Sequence, residues 1–288
     1  MEKDEVKKIR KYLGIDLSKE ELARRIKETE KVIRDIIEEH NTEVFNFTLT
    51  PKQLEKLNNY NNYIKIHHLE LNWKQFTEDF VYHTNAIEGS TVDFQEVKDI
   101  LEKNKPIENK DEQETANVAK AVDFIRTTKE EISLDLLLKL HKICFEGTKH
   151  FAGKFRDIEV VVRNMQGEIV HQGVAVTQLH YALEDLVSWY VKNKFKIKPL
   201  VLAAIMHNQF EHIHPFQDGN GRVGRLLLNL ILLKRKYPPI NIKLEDRIYY
   251  YKSLQKYSKN KDLKPTLKFL IKEYKQMLKQ VSTKRKKR

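Results

Sequence analysis

The stretch AAIMHNQFEHIHPFQDGNGRVGRLLLNLILLK, residues 203–234, constrains this chain more than any other. Ile205, Met206, Phe210 and Ile213 keep helical spacing up to Pro215, and a second, strongly apolar helix resumes at Arg222. Two such helices belong in a core, so the intervening FQDGNG is a loop mounted on it. Gly219 and Gly221 allow positive φ and close approach of a ligand. The next helix begins with unpaired N–H groups at the positive end of its dipole, which makes the bend an anion site. Arg222 and Arg225 lie three apart, so both guanidinium groups are expected to reach one polyanion. Asp218 adds an oxygen ligand suited to Mg²⁺, and together these residues point to a nucleotide polyphosphate. The alternative is an ordinary helix-loop-helix turn with solvated arginines and His214 as a satisfied near-core histidine. Convergence of His214, Asp218, two glycines and two arginines argues against it. No Gly-Lys-Ser/Thr follows and no strand precedes, which excludes a Walker loop and a dinucleotide fingerprint. His207 and His212 are five apart, not the four of a zinc-binding pair.

The rest of the chain reads as predominantly helical. Ser18 and Glu21 form a capping-box pair before an amphipathic stretch ending near His40, with Leu22, Ile26, Val32, Ile33, Ile36 and Ile37 on its apolar side. Thr50-Pro51 opens another helix running toward Trp73. Further helices are predicted at 93–103, 111–128, 133–146, 176–193, 198–212, 220–236, 245–258 and 265–281. One interruption stands out: Ile158 to Gly173 alternates β-branched residues on both sides of Asn-Met-Gln-Gly, which predicts a β-hairpin. The expected fold class is all-α, a helical domain with an inserted β-hairpin and a small N-terminal helical extension. The divisions drawn are 1–50 for the extension, 51–92, 93–281 for the main domain, and 282–288 for a basic disordered tail.

Composition excludes some roles. At 40% apolar and 33% charged, with no run of eighteen apolar residues, the chain reads as soluble and without a membrane span. Met1 opens onto charged residues where a secretory signal needs an apolar stretch, and the lone Cys144 reads as a buried structural thiol, so a cytoplasmic location is expected. Part of the net charge of +12 sits in Lys284 to Arg288, a run that keeps nucleic-acid binding as an alternative; no zinc-finger, RNA-binding-sheet or helix-turn-helix signature supports it. Homo-oligomerisation stays open.

The bend resembles a known family. HPFQDGNGRVGR matches the Fic motif His-Pro-Phe-x-Asp-Gly-Asn-Gly-Arg-x-x-Arg at every fixed position. TNAIEG, Thr84 to Gly89, fits the family's inhibitory motif of Ser/Thr, three variable residues, Glu, then Gly or Asn. GKFRDIEVVV fits the start of its target-binding flap, and DRIYYYKSL its tyrosine-bearing helix beside the adenine. The resemblance runs from about Thr77 to Met277.

It implies transfer of AMP from ATP to a Ser, Thr or Tyr hydroxyl of a target protein and of the chain itself. His214 would be the general base, suited by a near-neutral pKa and contributing about 10² to 10⁴ in rate. The N–H groups of Gly219, Asn220 and Gly221 would receive charge developing on the α-phosphate. Asp218 would hold Mg²⁺, Arg222 and Arg225 would bind the outer phosphates, and Tyr250 and Tyr251 would flank the base. Phe216 would anchor the loop, and Asn229 would either line the site or serve packing. The flap edge at Val160, Val161 and Val162 would add a strand of the target by main-chain pairing. Thr84 and Glu88 share a helix face, with Gly89 as the C-terminal cap, and Glu88 would occupy Arg225, so the enzyme would be autoinhibited. Family members often carry Asn where this chain has Ser258. The alternatives are deAMPylation, or transfer from UTP or CDP-choline, at the same site.

Overall fold

A computed structural model describes residues 17–30, 52, 55, 58–59, 71–103, 105–163 and 167–285. The chain divides into two compact units, Met1–Thr48 and Leu49–Arg288. In the first, residues 19–30 are helical, and the Ser18 hydroxyl accepts from the Glu21 amide at 3.2 Å, as the capping pattern predicts. The predicted continuation to His40, and most of the helix from Thr50-Pro51, lie outside the described residues; residues 52, 55, 58 and 59 are helical.

The second unit is a helical assembly whose boundaries follow from its caps. Helix α1 runs Trp73–Ile87 behind the Asn72 cap, and α2, Phe94–Glu102, has a reciprocal Asp93–Glu96 capping box. The Asn109 and Ser133 side chains cap α3, Lys110–Thr127, and α4, Leu134–Phe145. Strands β1, Val161–Arg163, and β2, Ile169–Gln172, pair antiparallel with a register shift after Val162. Next come α5, Val176–Asn193; α6, Pro199–Ile213, with proline in its first turn; and α7, Asn220–Lys234. A 3-10 turn, Leu244–Asp246, leads into α8, Arg247–Asn260, and then α9, Lys264–Arg285. The mostly helical expectation with one hairpin holds.

Helices α6 and α7 form the centre. They pack on each other; α5, α8 and α9 cover α6, while α1, α3 and α4 cover α7. Side chains from Leu200 to Phe210 and from Val223 to Leu232 are almost wholly withdrawn from solvent. A Leu→Ala change at such a position costs about 2–5 kcal/mol. The loop joining the pair therefore sits on the least deformable part of the protein.

Two boundaries need correction. The stretch set apart as a disordered tail from 282 is helical as far as Arg285, because Lys, Arg and Gln are good helix formers and no glycine or proline interrupts them. Residues 286–288 lie outside the described residues, as does Asn164–Gln166 of the hairpin turn. Val160 precedes the strand rather than belonging to it: the neighbouring Ile158 carbonyl is taken by Arg156 at 2.8 Å, and the Glu159 carboxylate accepts from the Val176 amide at 3.0 Å. Val160 still accepts from the Gly173 amide at 3.1 Å. No helix among the described residues is long and apolar enough to cross a membrane.

Candidate active site

A cavity of about 640 Å³ opens where the α6–α7 loop meets the hairpin, α8 and the end of α1. His214, Asp218, Gly219, Asn220, Gly221, Arg225, Tyr250, Tyr251, Glu88 and Val162 all line it.

The loop is held from several directions. His214 ends α6 in the left-handed region, φ 55°, while its amide still donates to the Phe210 carbonyl at 2.9 Å. Phe216 is fully buried and stacks on His141, ring centroids 3.9 Å apart. Asn220 uses its side chain structurally: Oδ1 accepts from the Phe216 amide and Nδ2 donates to the Phe216 carbonyl, both at 2.8 Å. Gly219 has φ 83°, and a Cβ there would lie 2.2 Å from the Phe145 ring, so glycine is required on both counts.

The His214 Nδ1 lies 3.2 Å from the Glu211 carbonyl, which holds the ring as the Nδ1–H tautomer and leaves the Nε2 lone pair free. Burial pushes its pKa down to about 4 rather than the near-neutral value expected, so the imidazole is an unprotonated acceptor. An incoming polyanion raises it again by favouring the charged form.

Thr84, Glu88 and Arg225 come together. Arg225 Nε donates to the Thr84 hydroxyl at 2.7 Å, and Nη2 donates to the Thr84 carbonyl at 3.0 Å and to Glu88 Oε1 at 2.7 Å. Gly89, φ 93°, turns the chain just after Glu88. Arg225 Nη1 is buried without a protein partner, beside Gly221, which leaves its two N–H groups for a ligand.

Arg222 departs from expectation. Its Nη1 is bonded to Glu114 of α3 and its guanidinium lies 4.4 Å from the Phe145 ring centroid, so it braces α7 and does not line the cavity. Asn229 serves packing, exchanging hydrogen bonds with the Ile240 backbone at 2.9 and 2.7 Å. Tyr250 is buried with its hydroxyl 2.9 Å from His207 Nε2; Tyr251, at the rim, donates to the Ile87 carbonyl at 3.1 Å.

Residues 131–232 match the family model described as the Fic/DOC family. The chain carries a Fic domain. It is 30% identical over 200 residues to the protein adenylyltransferase Fic of Nematostella vectensis, covering 66% of this chain and 45% of that protein. To the protein adenylyltransferase fic-1 of Caenorhabditis briggsae it is 34% identical over 203 residues, covering 67% of this chain and 39% of the relative. The chain thus spans less than half the length of these relatives. Its fold is similar to that of Fic-1, residues 134–508, from C. elegans, with a TM-score of 0.67, 25% identity, and coverage of 94% of this chain and 79% of that one.

Several residues around the Fic loop escaped the sequence reading. Arg156 is buried and its guanidinium donates to backbone carbonyls of His214 at 2.7 Å, Ile158 at 2.8 Å and Val174, stitching the hairpin to the loop. Lys149 lies 3.1 Å from Asp218. Cys144 is fully buried with its thiol pushed up to about 12, an inert position. The only local signal for Arg156 was its place at the start of GKFRDIEVVV; its hydrogen bonds go to backbone carbonyls, with Glu159 3.9 Å away as an ion-pair neighbour.

Burial of ionisable groups here sets a pH dependence. His141, His207, His212 and His214 are held by burial at about 4, 3, 4 and 4, below 6.5. Their contribution is full above pH 6.5 and is lost as pH falls toward 4, since the unfolded chain takes up their protons first. Glu211 and Glu273, raised by burial to about 8 and about 7, bind protons in the folded state and oppose part of this. The histidines outnumber the carboxyls, so the balance predicts lower stability at pH 5 than at pH 7. Urea midpoints at the two pH values check it; a higher midpoint at pH 5 contradicts it.

Proposed function

We propose that this chain transfers AMP from ATP to a hydroxyl of a protein side chain and is held inactive by its own Glu88. The observation that carries the reading is the single cavity joining the His214 imidazole, the α7 N-terminus and an Arg225 that is already engaged by Glu88. The names of the relatives support the same chemistry.

The triphosphate lies along the loop, where first-turn N–H groups of α7 and the unpartnered Arg225 Nη1 face negative oxygens. The acceptor hydroxyl gives its proton to His214 Nε2. Its oxygen forms a bond to the α-phosphorus as the bond to the bridging oxygen breaks, and pyrophosphate leaves with that electron pair. Developing charge on the α-phosphate is met by the loop amides. Asp218 is the residue that would hold Mg²⁺: its carboxylate already faces a cation, the Lys149 ammonium, and is partly open to solvent. When bound, the ion neutralises charge on the leaving group. The outer edge of β1 at Val161 and Val162 is assigned the acceptor segment, which it would pair as an added strand.

Glu88 opposes this arrangement at the far phosphate, because the guanidinium it occupies is the one the terminal phosphate needs. Titration calorimetry tests the reading: the Glu88→Gly protein is expected to bind ATP with Mg²⁺ about 10-fold or more tightly than the unaltered chain, with AMP affinity little changed. No difference for ATP would remove Glu88 from the phosphate subsite.

A further inference from the structure

At the end of α7 away from the catalytic loop, the last turns of α5 and α7 meet in a patch of like charge. Lys192, Lys194 and Lys196 come from the end of α5 and the turn after it, and Lys234, Arg235 and Lys236 from the end of α7. The sequence has no acidic residue between Asp185 and Glu211, and none between Asp218 and Glu245. The two ends are fastened together. The Arg235 guanidinium donates to the Lys194 carbonyl and lies 5.1 Å from the centroid of the Phe195 ring, while Lys194 Nζ lies 5.4 Å from the same centroid. Among the described residues, Glu131 is the carboxylate paired with this group, through Lys194 at 2.8 Å.

Phe195, in the middle of these cations, is 79% exposed, more than any other large apolar side chain among the described residues, and Val191, one turn earlier, is 53% exposed. Basic side chains at helix C-termini complement the helix dipoles, which accounts for the sign of the charge. It does not account for an aromatic ring kept in water among them. A protruding phenylalanine and valine ringed by cations are complementary to a surface that is negative outside and apolar just beneath. An anionic bilayer has that layering, and the aliphatic stems of lysine and arginine let their charged ends stay at headgroup level while the apolar side chains go deeper.

Single-stranded nucleic acid fits less well. It is bound through bases stacked on successive aromatic side chains, whereas this patch presents one ring, with two cations already close to it. Val191 adds apolar volume on which a base does not stack.

We propose that the joined ends of α5 and α7 form a contact surface for an anionic phospholipid bilayer, with Phe195 and Val191 entering the headgroup layer and the surrounding lysines and Arg235 facing acidic lipid. A surface contact of this kind needs no spanning helix. It also sets an orientation. Helix α7 has 15 residues, so the catalytic loop at its other end lies about 20 Å from the patch and stays open to solvent and to a protein target.

The test is co-sedimentation of the full chain with vesicles of phosphatidylcholine alone and of phosphatidylcholine with one quarter phosphatidylserine, with a fluorescent oligouridylate titrated in parallel. Binding is expected to the phosphatidylserine vesicles, and to weaken as salt rises. Phe195→Ser should lower it about 10-fold. The triple change Lys192→Ser, Lys196→Ser and Lys236→Ser should lower it about 100-fold, since each lysine near an anionic leaflet is worth about a factor of five. The same loss of charge elsewhere, by Lys256→Ser, Lys264→Ser and Lys268→Ser, separates a built surface from general basicity; these lysines are exposed on α8 and α9, and the effect is expected to stay within about threefold. All the replaced side chains are exposed, so thermal midpoints should match the unaltered chain. No binding to phosphatidylserine vesicles, equal losses in the two triple variants, or full binding by Phe195→Ser overturns the proposal. Oligouridylate binding that is tighter than vesicle binding and is lost with Phe195 would overturn it too, and give the patch to nucleic acid.

Discussion

Replacing Glu88 by glycine is expected to raise incorporation of labelled AMP, into the protein itself and into its target, by about 10- to 100-fold. Glu88 holds one face of a guanidinium that is 1% exposed, and Thr84 holds another through its hydroxyl and its carbonyl. Removing the carboxylate leaves the Thr84 contacts in place, so Arg225 stays positioned while its charge becomes available. The backbone tolerates the change: Glu88 has φ −87°, an ordinary value for any residue, and Gly89 supplies the turn. Glu88→Gln separates charge from shape. It keeps one hydrogen bond to Arg225 but gives up the ion pair, and its incorporation is expected to fall between the two. Equal labelling of the unaltered chain and Glu88→Gly would remove the inhibitory role.

Loss of His214 carries the largest effect. In the Glu88→Gly background, His214→Ala is expected to lower transfer by about 10² to 10⁴ through loss of the base. Alanine at φ 55° also adds backbone strain of about 1 kcal/mol or more, so a second variant is needed. Asparagine accepts the left-handed region far better and has no basic nitrogen. His214→Asn should therefore lose transfer to the same extent while keeping its thermal midpoint and its ATP affinity. Substantial transfer by a well-folded Asn variant would assign proton removal to another group.

The architecture was legible where the signal is local. Asp93, Asn109 and Ser133 each sit directly before their helices and accept from an amide there, and Pro199 opens α6, which is why boundaries read from sequence fall within a residue or two for α2, α3, α4 and α6. The loop from His214 to Arg225 was legible because its residues lie together in sequence. Arg222 was misread for the opposite reason: spacing places it on the first turns of α7, but its direction is decided by Glu114, 108 residues away. The hydrogen bonds of Arg156 go only to backbone carbonyls, which no pattern of side chains reveals, and the contacts of Ser258 Oγ with His171 Nδ1 at 3.0 Å and with His212 Nδ1 at 3.3 Å join α8, β2 and α6, which are far apart in sequence.

The central claim is that the bend between α6 and α7 moves an AMP group from a triphosphate to a hydroxyl under the control of Glu88. Intact-protein mass spectrometry after incubation of Glu88→Gly with ATP and Mg²⁺ tests it most directly. The account predicts a gain equal to one AMP or a small multiple of it, absent when His214→Asn is added. An unchanged mass with target protein also unmodified, or an adduct that persists without the histidine, would contradict it.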